Sequence, residues 1–100
     1  MTDEYTALQV GFRVQGRVQG VGFRWWVRRT AGGLGLRGVV LNRMDGSVEV
    51  HAGGNEESVE LFAAYLAEGP PGARVDGVER FPSERSLPGE FEILSEFGII

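Results

Sequence analysis

The nine residues Gly16-Arg17-Val18-Gln19-Gly20-Val21-Gly22-Phe23-Arg24 hold the densest chemistry in the chain. Glycines at 16, 20 and 22 let successive backbone N–H groups converge into a concavity that binds an anion. The segment opens directly into a pattern of helical spacing, so the unpaired donors and the dipole of a helix amino terminus would face the same place. Arg24, in the first turn of that helix, can lay its planar fork on two phosphate oxygens, and charge-assisted bonds of this kind contribute about 1.5 to 3 kcal/mol each. Taken alone, the segment also fits a blander reading, a strand-to-helix turn followed by a solvated arginine. It is not a nucleotide loop: G-x-x-x-x-G-K-[ST] is absent, and Trp25 stands where the last glycine of G-x-G-x-x-G would be. The ligand implied is smaller than a nucleotide.

The elements on either side must position this loop. Leu8, Val10, Phe12 and Val14 alternate with Gln9, Gly11, Arg13 and Gln15, which predicts a strand with one buried face leading into it. Phe23, Trp26, Val27, Thr30, Ala31 and Leu34 share one helical face, and that helix is expected to stop near Gly32 to Gly35. Gly38 to Asn42 and Ser47 to Ala52 predict two strands joined by Arg43-Met44-Asp45-Gly46, whose Asp-Gly supplies the chemistry of a tight turn. Asn55 is a good helix N-cap, Glu56 and Glu57 oppose the dipole, and Val59, Phe62, Ala63 and Leu66 form a buried stripe ended by Gly69-Pro70-Pro71. Arg74 to Phe81 reads as a fourth strand with a bulge marked by Gly77, and Phe91 with Ile93 as a short final one.

This order, β-α-β-β-α-β plus a short extra strand, predicts an α+β ferredoxin-like sandwich: one antiparallel sheet with two helices on one face. A right-handed crossover then makes the first and second strands parallel, with the third between them. Their carboxyl ends share an edge, so the loop at 16–22 and Asn42 can face one pocket.

Composition removes several function classes. Without cysteine there are no disulfides, thiolate metal sites or cysteine nucleophiles. All ten basic residues are arginine, which removes Schiff-base chemistry and the phosphate-loop lysine. Residues 1–50 carry seven arginines against four acids and residues 51–100 three against ten, so a net charge of −4 hides a basic first half. An acidic total argues against a general nucleic-acid binder, while the basic half suits a small anion. Early acids at Asp3 and Glu4, with no basic segment leading into an apolar run, do not read as a signal peptide, and no stretch reaches membrane-spanning length. A cytoplasmic protein without a membrane partner is expected. His51, in a strand pattern without ligand-type partners at useful spacing, is expected to be structural or exposed, and Glu56, Glu57 and Glu60 a solvated helix face.

The run G-R-V-Q-G-V-G-F-R at 16–24, with G-V-V-L-N at 38–42, D-G-S-V-E-V at 45–50, G-P at 69–70 and F-E-I at 91–93, resembles the acylphosphatase family from about Leu8 to Ile93. The resemblance implies one domain over 1–100, with a core at about 8–93 and a carboxyl-terminal extension at 94–100 that carries the apolar Phe97, Ile99 and Ile100. It implies a hydrolase with no metal or cofactor. In that activity Arg24 binds the phosphoryl oxygens, the amides of Gln19, Gly20, Val21, Gly22, Phe23 and Arg24 cradle them, and Asn42 orients the attacking water. The expected partner is a small acyl phosphate, with inorganic phosphate or sulfate as product or analogue, acting on a monomer. Val39, where the family pattern usually has an aromatic residue, and Arg43, where some members carry a hydroxyl that supports the water, depart from it. Two other classes compete: a phosphate or carbamoyl-phosphate binding module like the one that begins the much larger hydrogenase maturation proteins, and an RNA-binding ferredoxin-like domain, whose exposed aromatics and basic sheet face are not visible in this sequence.

Overall fold

The structure, a computed structural model, describes the backbone of residues 7–98 and the side chains of residues 7–95. In chain order it contains β1 (Ala7–Arg17), α1 (Phe23–Gly33), β2 (Arg37–Arg43), β3 (Val48–Asn55), α2 (Glu56–Glu68), β4 (Arg74–Pro82) and β5 (Phe91–Gly98). The five strands form one sheet in the order β4-β1-β3-β2-β5. β3 runs antiparallel to both of its neighbours, β1 and β2, which makes those two parallel and puts their carboxyl ends at one edge.

Alternation along β1 has the cause that the sequence pattern implies. Val10, Phe12 and Val14 face the helices and are buried, and they join Val40, Val48 and Val50 of the neighbouring strands with Phe23, Val27 and Ala31 of α1 and Val59, Phe62 and Leu66 of α2. Phe62 packs edge-on between Phe12, at 5.9 Å, and Phe91, at 6.2 Å. Burying each ring contributes about 1.5 to 3 kcal/mol, and edge-to-face contact adds to it. Asn55 caps α2 as expected, its side-chain oxygen accepting from the amides of Glu57 and Ser58.

The sheet is mixed, a correction to the antiparallel one expected. β5 pairs parallel with β2, and it is longer than the short strand suggested by Phe91 and Ile93. The reason lies in the path of the chain. β4 ends at one side of the sheet, at the end where β2 begins, and residues 83–90 cross the face opposite the helices to reach the far side. A strand entering there from that end must run in the same direction as β2. Buried His51 fastens the crossing, its Nδ1 2.7 Å from Ser83 Oγ, while Gln9 Nε2 donates to Ser83 Oγ and to the Arg85 carbonyl. The tail at 94–98 is thus part of β5 and covers the β2 edge; Ile99 and Ile100 lie outside the described residues.

The β4 bulge sits beside the glycine that marked it. Gln15 pairs with Gly77 but Gly16 with Val75, leaving Asp76 as the extra residue. Gly16 adopts φ +130°, and a Cβ there would run into the Arg74 carbonyl and come within 2.7 Å of the Asp76 nitrogen. Gly32, in α1, has open space around it. Gly16→Ala is therefore expected to destabilise the fold by about 2 to 4 kcal/mol, and Gly32→Ala to stabilise it by about 0.5 to 1 kcal/mol. Urea denaturation of the two variants checks both signs, and a Gly16→Ala protein as stable as the wild type would contradict the close approach.

Candidate active site

β1 carries the chain to Arg17, and buried Val18 pins the start of the loop into the core. Gly20 and Gly22 then take φ +75° and +74°, left-handed conformations open to glycine at no steric cost, with nothing within 4 Å of either virtual Cβ. They are needed for the path of the backbone, not for close packing. Gly22 also stands at the N-cap of α1, where no side chain accepts from the first amides; Trp26 N donates to the Gly22 carbonyl and begins the helical ladder. The first-turn N–H groups are thus left for something outside the helix.

Loop, helix terminus and β2 enclose a cleft of about 220 Å³ bordered by Gly20, Gly22, Arg24, Trp25, Asn42 and Ile93. That volume is below the roughly 300 to 1,000 Å³ of sites for drug-sized ligands, which agrees with a ligand smaller than a nucleotide. Two roomier depressions, of about 490 and 380 Å³, lie near Gly35 and Gly89 at the other end of the sheet, and neither borders the glycine loop or Asn42.

Arg24 and Asn42, eighteen positions apart, border the same cleft. One guanidinium nitrogen of Arg24, Nη1, donates to the Leu94 carbonyl at 3.0 Å. That carbonyl is available because the β2–β5 register breaks here: Ile93 pairs with Val40 and Phe97 with Asn42, so β5 bulges between them. A neutral carbonyl fixes the direction of the side chain without cancelling its charge. Asn42 is half-buried on β2, and its carboxamide oxygen is fully buried and accepts no hydrogen bond from the described residues.

Gln19 does more than its backbone suggested. Its side-chain Nε2 donates to the carbonyls of Arg43 and Ser47, both at 2.8 Å, and so ties the loop to the turn that follows Asn42. No local pattern could have announced contacts to residues 24 and 28 positions away. Arg43 itself turns to the face opposite Asn42, where Nη1 donates to Glu49 at 3.1 Å, and it does not join the cleft. His51 shares Glu49, with Nε2 2.6 Å from its other oxygen, so its role is structural; no cluster of metal-ligating side chains occurs among the described residues.

Charge is distributed unevenly. Arg13, Arg43, Arg74 and Arg80 each meet a carboxylate, whereas Arg17, Arg24, Arg28 and Arg29 have none among the described residues. The last three belong to α1, of which half-buried Arg24 borders the cleft while exposed Arg28 and Arg29 lie further along the helix, and their uncompensated charge favours the approach of an anion. The β2–β3 turn is clamped separately. Asp45 accepts from the Ser47 hydroxyl at 2.6 Å, the Ser47 amide at 3.0 Å and Arg13 at 2.9 Å, and these bonds, led by the Ser47 hydroxyl, hold its carboxyl well below the usual carboxylate range.

Residues 10–93 match the family model described as Acylphosphatase. A protein named acylphosphatase from Mesorhizobium japonicum is 45% identical over 96 residues, which cover 95% of this chain and all of that one. The structure of an acylphosphatase from Coxiella burnetii superposes with a TM-score of 0.84 at 33% identity, over 93% of this chain and 100% of the other. Full-length HypF, crystallised in a phosphate- and nucleotide-bound form, matches 99% of this chain with 13% of its own, at 26% identity and a TM-score of 0.82.

The Asp45 clamp gives a pH-dependent expectation. A carboxyl whose folded value lies below its ordinary 3.8 contributes stability that is complete above that value and is lost as pH falls below it. Asp45→Asn should therefore be less stable than the wild type by a constant margin from pH 7 to about pH 5, with the margin shrinking below about pH 4. Denaturant unfolding across that range measures the margin; one that stayed the same at every pH would remove Asp45 as its source.

Proposed function

The chain belongs to the acylphosphatase family of hydrolases, and on that premise we propose that it splits the carboxyl–phosphate bond of acyl phosphates in the cleft between Arg24 and Asn42. The observation that carries this reading is their convergence on one small cleft beside an uncapped helix amino terminus. Arg24 and the amides from Gln19 to Arg24 hold the equatorial phosphoryl oxygens, as positioning and charge stabilisation account for most of phosphoryl-transfer catalysis. Asn42 supports the nucleophile: its side-chain amide borders the cleft and is suited to hydrogen-bond the attacking water so that the water's lone pair is aimed at phosphorus.

The bond changes balance without a further catalyst. Water oxygen bonds to phosphorus as the acyl-oxygen–phosphorus bond breaks, and the electron pair leaves with the carboxylate. That leaving group needs no protonation at neutral pH, because its conjugate acid has a pKa of about 4. Asn42 cannot take the proton released by water, so a phosphate oxygen of the substrate does. The charge of Arg24 and the dipole of α1 supply the stabilisation that a cofactor or metal would otherwise provide. Inorganic phosphate, as product, and sulfate, as analogue, would occupy the same cradle. The proposal extends to a cytoplasmic monomer with its functional core at about 8–93; no helix among the described residues is long and apolar enough to cross a membrane.

The test is hydrolysis of benzoyl phosphate in the presence of a metal chelator. Arg24→Ala and Asn42→Ala are each expected to lose at least about a hundredfold in kcat, by analogy with removal of one oxyanion donor. Arg24→Ala should also weaken inhibition by inorganic phosphate, whereas Asn42→Ala should affect kcat far more than that inhibition. The rate should track ionisation of the substrate phosphate and not of a protein group. Wild-type protein that bound phosphate but turned over no substrate would be a binding module instead.

A further inference from the structure

Trp25 is the one large apolar side chain in the described structure that is both strongly exposed and placed on the rim of the cleft. It is 54% exposed, while Met44, Leu61 and Tyr65, the other large exposed apolar residues, do not border it. Its neighbour Trp26 does ordinary core work, packing against Phe23 at 5.5 Å. Trp25 lies one residue beyond the arginine that grips the phosphoryl group, and the Arg29 guanidinium sits over its ring at 5.0 Å from the centroid. A pair four residues apart on a helix, joined by a cation–π contact, holds the indole in one orientation at the mouth. Ile93 gives the cleft a second apolar border.

We propose that Trp25, braced by Arg29 and complemented by Ile93, forms the wall against which the acyl part of the substrate lies, and that it selects acyl phosphates with aromatic or other flat apolar acyl groups. The inference rests on the hydrolase reading above. With the phosphoryl end fixed by Arg24 and the loop amides, the acyl group must leave the cleft past its apolar border. An aromatic acyl group gains there both area withdrawn from water and offset stacking on the indole, and a methyl group gains neither to a comparable extent. Trp25 is thus a specificity residue and takes no part in bond breaking.

The experiment compares kcat/KM for benzoyl phosphate and acetyl phosphate in the wild type, Trp25→Ala and Trp25→Phe. The ratio of the two substrates is expected to fall by about five- to tenfold in Trp25→Ala and to be largely restored in Trp25→Phe, which keeps a flat ring. Inhibition provides an independent readout, since phenylphosphonate should lose affinity relative to inorganic phosphate by a similar factor in Trp25→Ala. A ratio within about twofold of the wild type, whether both activities fall together or neither changes, would overturn the proposal and leave Trp25 as an accessory to Arg24 or to nothing. A wild type that hydrolysed neither substrate would instead remove the hydrolase reading itself, which the wild-type arm detects before any variant is made.

Discussion

Between the end of β1 and the end of β2 stands a whole strand, so the two segments that carry the site begin about two strand spacings, or roughly 10 Å, apart. In the reaction we propose, a phosphoryl group and a water molecule are to be served across that gap, which residues fixed only to their own strands would not span. The loop at 18–24 bridges it, and the Gln19 amide keeps it bridged by gripping the Arg43 and Ser47 carbonyls of the far turn. Those carbonyls have other donors as well, Gly46 N for Arg43 and Arg43 N for Ser47, so the side chain is laid across a turn that is already closed. Asp45 tightens the same turn from beneath through Ser47. Loop and strand are set at a fixed separation by this short chain of hydrogen bonds, neutral at Gln19 and charge-assisted at Asp45.

The treatment of arginine follows from the same need. On the sheet face away from the helices Arg13 lies between Asp45 and Glu79, and Arg43 meets Glu49, which also serves His51. On α1 the arginines have no such partners, and Arg24 leans on a carbonyl instead. A carboxylate in place of Leu94 O would orient the guanidinium equally well but would compete for its charge with the phosphoryl group that we propose it binds. The excess of arginine over acid in the first half of the sequence thus becomes, in three dimensions, a separation between compensated and uncompensated positive charge.

Much of this was legible in the residues because it obeys short-range rules. One buried face gives β1 its period of two, Asn55 announces the start of α2, and Asp45-Gly46 marks the hairpin that delivers Asn42. The glycine loop and Arg24 could be read because their chemistry and local backbone agree within nine residues. What escaped has no period to reveal it. The parallel direction of β5 follows from a crossing over the sheet face, the Gln19 side chain acts over more than twenty residues, and the contact of Arg24 with Leu94 spans seventy. Even the turning away of Arg43 depends on which face Glu49 occupies, a property of the neighbouring strand.

The register break in β5 has a consequence for how the protein comes into being. Phe12 and Phe62 meet within the part of the chain that ends at α2, yet the arginine of the cleft is not held in place until the chain has crossed the sheet and laid its final strand along β2. A nascent chain emerging from the ribosome would own the glycine loop long before it owned the finished cleft. Completion of the cleft is therefore tied to a pairing between segments more than fifty residues apart, which cannot form until the last strand has been made.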